Sequence, residues 1–125
     1  MATRHLLEKQ NRERLRGWII YLLYLQKPSP FDLNALWLTL DQYNQPVAHH
    51  RFVEEVDYLR SLGVLRIFPA GSKTELDSTA QALLLQRYLE TPRASDIGFV
   101  YGRLTPAGVQ FQEHNAEVIG IERVE

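Results

Sequence analysis

Eight consecutive apolar residues, Trp18-Ile19-Ile20-Tyr21-Leu22-Leu23-Tyr24-Leu25, follow a segment dense in charge and form the longest apolar run of the chain. A membrane-spanning helix needs about 20 such residues, so the run reads as a buried helix and no membrane is expected as a partner. Leu15, Trp18, Leu22 and Leu25 follow three- and four-residue steps and make one stripe. Ile20, Leu23 and Tyr24 fall on the other side. A helix that is apolar nearly all round is either central in a core or partly covered by another subunit. Lys27-Pro28-Ser29-Pro30 stops it, because proline disfavours helical geometry in the residue before it. The pattern predicts a first helix over about Leu6 to Gln26.

The remaining sequence punctuates itself with helix and turn signals. Ser29-Pro30 predicts the start of a second helix, serine capping free amides and proline fitting the first helical position, with Leu33, Leu36, Trp37 and Leu40 as the buried stripe. After the polar turn Asp41–Gln45, Pro46 predicts the first position of a third helix running to about Leu62. Ala48, Phe52, Val56 and Leu59 group as its core face, opposite His50, Glu54, Asp57 and Ser61. Gly63 suits a left-handed closing residue, and Val64–Phe68 reads as a strand ended by Pro69-Ala70-Gly71-Ser72. A second strand is expected at Gly98–Leu104, then a short helix capped by Thr105 with Pro106 at its first position. Between the strands, Asp77–Glu90 has helical character and too many leucines for a mobile loop tip. The tail holds Val118-Ile119-Gly120-Ile121, which predicts a short edge strand. With 125 residues the chain supports one domain, its core spanning about 6–114 and its tail 115–125.

The order helix, helix, helix, strand, strand resembles a winged helix-turn-helix. DYLRSLGVLRIF at 57–68 is similar to the ending of the third helix in many winged-helix regulators. YGRLTPAGVQF at 101–111 resembles the wing strand and following helix of the MarR and PadR families, in which a Leu-Thr pair precedes a glycine. The first helix and the Val/Ile/Gly-containing tail are similar to small winged-helix proteins of Mu-like prophages. The resemblance covers roughly residues 12–113. It implies an α+β, mainly α fold: a three-helix core, a two-stranded wing carrying an inserted helix, and a short C-terminal helix. That insertion departs from most relatives, which have only a few residues between the wing strands.

The same resemblance implies double-stranded DNA as a partner and transcriptional regulation as a role. The start of the third helix would enter the major groove, bringing Gln45, Val47, His50, Arg51 and Glu54 to base edges, where glutamine suits adenine and arginine guanine. Arg66, Lys73 and Arg103 on the wing, and Arg12, Arg14 and Arg16 on the first helix, would meet phosphates. Charge distribution points the same way: residues 1–30 hold six basic and two acidic groups, and the remainder eight basic and thirteen acidic. Against it, Glu54 and Asp57 would repel a phosphate backbone, and a fold does not fix a function. The alternative is a protein-interaction or assembly module. Its motive is surplus apolar surface at Ile20, Leu23, Tyr24, Leu84, Leu85 and Tyr88, and a homodimer fits either reading.

Enzymatic chemistry finds no motif. No cysteine is present, and there is no glycine-rich phosphate loop, nucleophile elbow or HExxH pair. His49 and His50 point about 100° apart on a helix and suit one metal ion poorly. His49 is expected to be packed or half-buried beside the core, and Trp18 and Trp37 to be core residues. No cofactor or metal is implied. The charged N-terminus lacks the apolar core of a secretory signal, so the expectation is a cytoplasmic protein.

Overall fold

The computed structural model describes residues 2–71, 75–90 and 99–124. Among them the chain runs α1 (Ala2–Gln26), β1 (Phe31–Asp32), α2 (Leu33–Gln42), α3 (His49–Ser61), β2 (Leu65–Pro69), α4 (Ser78–Glu90), β3 (Val100–Leu104) and α5 (Pro106–Gln112). This is an α+β arrangement, mainly helical, with one antiparallel sheet of strand order β1-β3-β2. No helix among the described residues is long and apolar enough to cross a membrane.

The apolar run of α1 lies at the centre of the core. Ile19, Ile20, Leu22 and Leu23 are buried, because α1 packs on α2, α3, α5 and β3 together. Ile20 and Leu23, expected at a partner surface, are therefore internal. Leu85 and Tyr88 are internal too. The leucine-rich helix α4 lies on α3 and on the edge of β2, so its apolar stripe is spent within the chain. Tyr24 and Leu84 are half-buried against the same core.

Two polar contacts bind α4 along α3 in antiparallel fashion. Arg60 Nη1 donates to Ser78 Oγ at 2.8 Å, and at the other end His49 Nε2 lies 3.3 Å from the Tyr88 hydroxyl. Gln81 fixes the helix to the sheet edge: its Oε1 accepts from Ile67 N at 2.9 Å and its Nε2 donates to Leu76 O at 3.0 Å. A buried glutamine so satisfied also covers an otherwise open strand edge.

Several local expectations change. The sheet has three strands rather than two, since Phe31-Asp32 pairs with Tyr101 and Gly102. Capping of α2 falls to Asp32, whose carboxylate accepts from Asn34 N at 3.1 Å, rather than to Ser29. Helix α3 begins at His49, not Pro46, because the Trp37 indole donates to Val47 O at 2.7 Å and holds that segment outside the helix. Ala48 becomes an exposed N-cap, and Val53 takes its place in the core. Among its described residues the tail forms no strand. It crosses α1 in an irregular path in which Glu122 N donates to Glu13 O at 3.0 Å, and the Glu122 carbonyl lies against Gly17, where any Cβ would overlap it.

Other signals hold. Gly63 takes a left-handed φ of 78° at the exit from α3. The Thr105 hydroxyl caps α5, accepting from Gly108 N at 3.3 Å with Pro106 at the helix start.

Candidate nucleic-acid interface

The cleft is built by a short turn. After α2, Asn44 adopts φ 59° and Gln45 N donates to Leu40 O at 2.9 Å, which folds the chain back before Pro46. Tyr43 sets the turn against α1, its ring centre 5.4 Å from that of Trp18. The turn and the first turn of α3 thereby face the N-terminal half of α1 across an open cleft of about 490 Å³.

Five of the residues expected to contact DNA line this cleft: Gln45, Val47 and Arg51 from one wall, Arg12 and Arg14 from the other. Glu8, Asn11, Leu15, Asn44 and Pro46 complete it, so the lining carries three arginines and one glutamate. Glu8 and Asn11 stand one turn before Arg12 and Leu15, and the four-residue spacing of a helix face was the signal that could have identified them. Arg12 and Arg51 are exposed. Arg14 lies 3.7 Å from Glu122 of the tail with both side chains more than half exposed, a pairing that water and salt weaken.

Arg16 does not join them. Its Nε donates to Glu55 Oε2 at 2.5 Å, its Nη1 to Gly120 O at 3.0 Å, and its guanidinium lies 3.9 Å from the centre of the Tyr58 ring. With carboxylate, carbonyl and ring all engaged, this arginine fastens α1, α3 and the tail, and its expected phosphate contact is corrected to a structural one.

The remaining candidates scatter. His50 and Glu54 are exposed on α3 outside the cleft lining. Asp57, further along that surface, accepts from Arg60 Nε at 2.9 Å. Arg66 and Arg103 stand on the sheet, Arg66 paired with Glu75 and Arg103 with its guanidinium 5.6 Å from the centre of the Phe68 ring. Lys73 lies outside the described residues.

His49 is half-buried as expected, its ring centre 4.8 Å from that of Trp37 and 5.2 Å from that of Tyr88. The Tyr88 hydroxyl donates to Asn34 Oδ1 at 2.5 Å. Burial pushes its pKa far above the ordinary tyrosine range, and the nearby Asp32 carboxylate adds to the rise. The Tyr24 hydroxyl donates to Glu113 Oε2 at 2.8 Å, and that hydrogen bond raises its pKa. Among the described residues no group of three histidines or carboxylates is arranged to hold a metal ion.

Comparison of the chain with protein-family models, with curated proteins and with solved structures finds no match.

Proposed function

We propose that this chain is a winged helix-turn-helix protein that binds double-stranded DNA through the cleft at the start of α3. The observation that carries the reading is the convergence of Arg12, Arg14 and Arg51 with Gln45 and Val47 on one open cleft. The element order, three helices with β1 between the first two, then β2, the inserted α4, β3 and the capped α5, supports the fold. Arginines at this density can neutralise phosphates and release counterions. Gln45 and Arg51, at the mouth of the helix, have the chemistry to read adenine and guanine edges. His50 and Glu54 adjoin them on α3. Gene regulation is the role that such binding would serve.

Titration of a labelled duplex at two salt concentrations tests the reading. If Arg12 and Arg14 each meet a phosphate, affinity should fall roughly 12-fold between about 50 and about 200 mM salt, and Arg12→Ala should reduce the logarithmic salt slope by about 0.9. Binding that ignores salt, or that survives loss of both Arg12 and Arg51, would overturn it.

A second reading, a protein-interaction module, rests on a different observation. The α1 residues Leu6 to Arg12 are all exposed, Leu6 at 58% and Leu7 at 54%. A protein partner seated on this stretch would cover the two exposed leucines. Light scattering combined with the duplex titration separates the readings: a species larger than the monomer that is lost in Leu7→Glu, in a protein that binds no duplex at either salt concentration, favours the module.

A further inference from the structure

The sheet presents an outer face that the proposed duplex cleft does not use. Alternation along the strands turns Leu65, Ile67, Val100, Gly102 and Leu104 to the core, where Gly102 meets Leu23, Leu33 and Ile67. Arg66, Phe68, Tyr101 and Arg103 therefore share the opposite face. Phe99, whose carbonyl extends the ladder by accepting from Ala70 N at 2.9 Å, falls on that face by the same alternation and is 59% exposed.

Register makes the composition informative. Arg66 stands directly opposite Arg103, and Phe68 directly opposite Tyr101. Like charges facing each other across strands destabilise a sheet, whereas the facing Phe68–Tyr101 pair supports it and Phe99 stands 59% exposed on the same face. The Phe68 and Tyr101 rings lie nearly parallel, 24° apart with centres at 6.1 Å. Phe99 and Tyr101, two residues apart, have backbone positions roughly 7 Å from each other along the strand. Of the acidic residues on this side, Asp32 caps α2, and Glu75 is 73% exposed in its pairing with Arg66. Arg66 itself is 35% exposed, so water reaches the pair and a phosphate can compete for the arginine.

From this alternation of arginine pair and aromatic pair we infer that the outer sheet face binds single-stranded nucleic acid, unpaired bases stacking on Phe99, Tyr101 and Phe68 and phosphates meeting Arg103 and Arg66. Every base has a π-face, so stacking tolerates sequence, and the guanidiniums supply the backbone contact. The inference does not rest on the duplex reading, since no strand residue lines the cleft.

Fluorescence anisotropy with a labelled oligothymidine of about 15 nucleotides, run beside a labelled duplex, tests it. Phe99→Ala and Arg103→Ala should each weaken oligothymidine binding at least fivefold while changing duplex affinity less than twofold. Arg51→Ala should do the reverse if the cleft takes duplex. Phe99 is exposed, so its variant should keep the wild-type thermal midpoint, which serves as the folding control. The inference is overturned if wild-type protein fails to bind oligothymidine at moderate salt, or if both sheet variants bind it as wild type does.

Discussion

Arg12 and Arg16 are the same residue type one turn apart on α1, and Arg51 and Glu55 are one turn apart on the helix that faces it. Where Arg16 meets Glu55, the pair is nearly sealed, 14% and 5% exposed, and the tail carbonyl of Gly120 completes its partners. Where Arg12 and Arg51 line the cleft, two like charges stand on facing walls and the site stays open. A charge becomes structural or available according to what the neighbouring helix offers it. Glu55 makes the first site a fastening; in the second, three arginines against the single Glu8 leave an excess of positive charge on the lining.

That contrast can be broken most forcefully at Glu55. Glu55→Ala leaves Arg16 buried without its carboxylate and should cost about 3–5 kcal/mol, read as a lowered denaturant midpoint. A loss below about 1 kcal/mol would mean that Arg16 is as solvated as Arg12. Gly17→Ala tests the tail's part in the fastening. The added methyl would overlap the Glu122 carbonyl, and the strain, about 1–3 kcal/mol, should exceed alanine's helix-propensity gain of up to about 1 kcal/mol. An unchanged or raised urea midpoint would show that the tail can leave α1 without loss.

A buried polar seam of a different kind lies at Tyr88. Its pKa is raised in the folded protein, so the unfolded chain loses this proton first. The associated stability is complete below the ordinary tyrosine value near 10 and declines above it by about 1.4 kcal/mol per pH unit until the folded pKa is passed. Tyr88→Phe should flatten the alkaline limb of stability against pH; an identical limb would place the effect elsewhere. The smallest stability effects belong to the cleft. Arg12→Ala and Arg51→Ala should each move unfolding by less than about 0.5 kcal/mol, measured by urea titration, while duplex affinity falls. A large destabilisation by either would make the cleft arginines fastenings like Arg16.

Much of the framework was legible because its signals are local. Thr105-Pro106 marks a helix start by its own hydroxyl and ring, and Gly63 marks a helix end by its φ. Leucine spacing revealed α4 but not its partner. Strand β1 was missed because two residues carry no periodicity; its identity comes from pairing with β3. The start of α3 was misplaced because Pro46 suits a helix locally, whereas the Trp37 indole, from another helix, takes the Val47 carbonyl. The four surplus apolar residues Ile20, Leu23, Leu85 and Tyr88 looked like partner surface because sequence counts apolar faces without showing how many neighbours cover them.

By itself the sequence determined the long first helix, the three helices that follow its proline stop, the capped C-terminal helix and the absence of familiar catalytic motifs. Each depends on residues within a few positions of one another, where backbone sterics and helical periodicity act. Tertiary structure alone decided that α1 is central, that α4 is spent on α3 and β2, that Arg16 is fastened while Arg12 and Arg51 share a cleft, and that two arginines and three aromatics share one sheet face. Those outcomes depend on which side chains meet across elements tens of residues apart, and packing, not local propensity, sets the meetings.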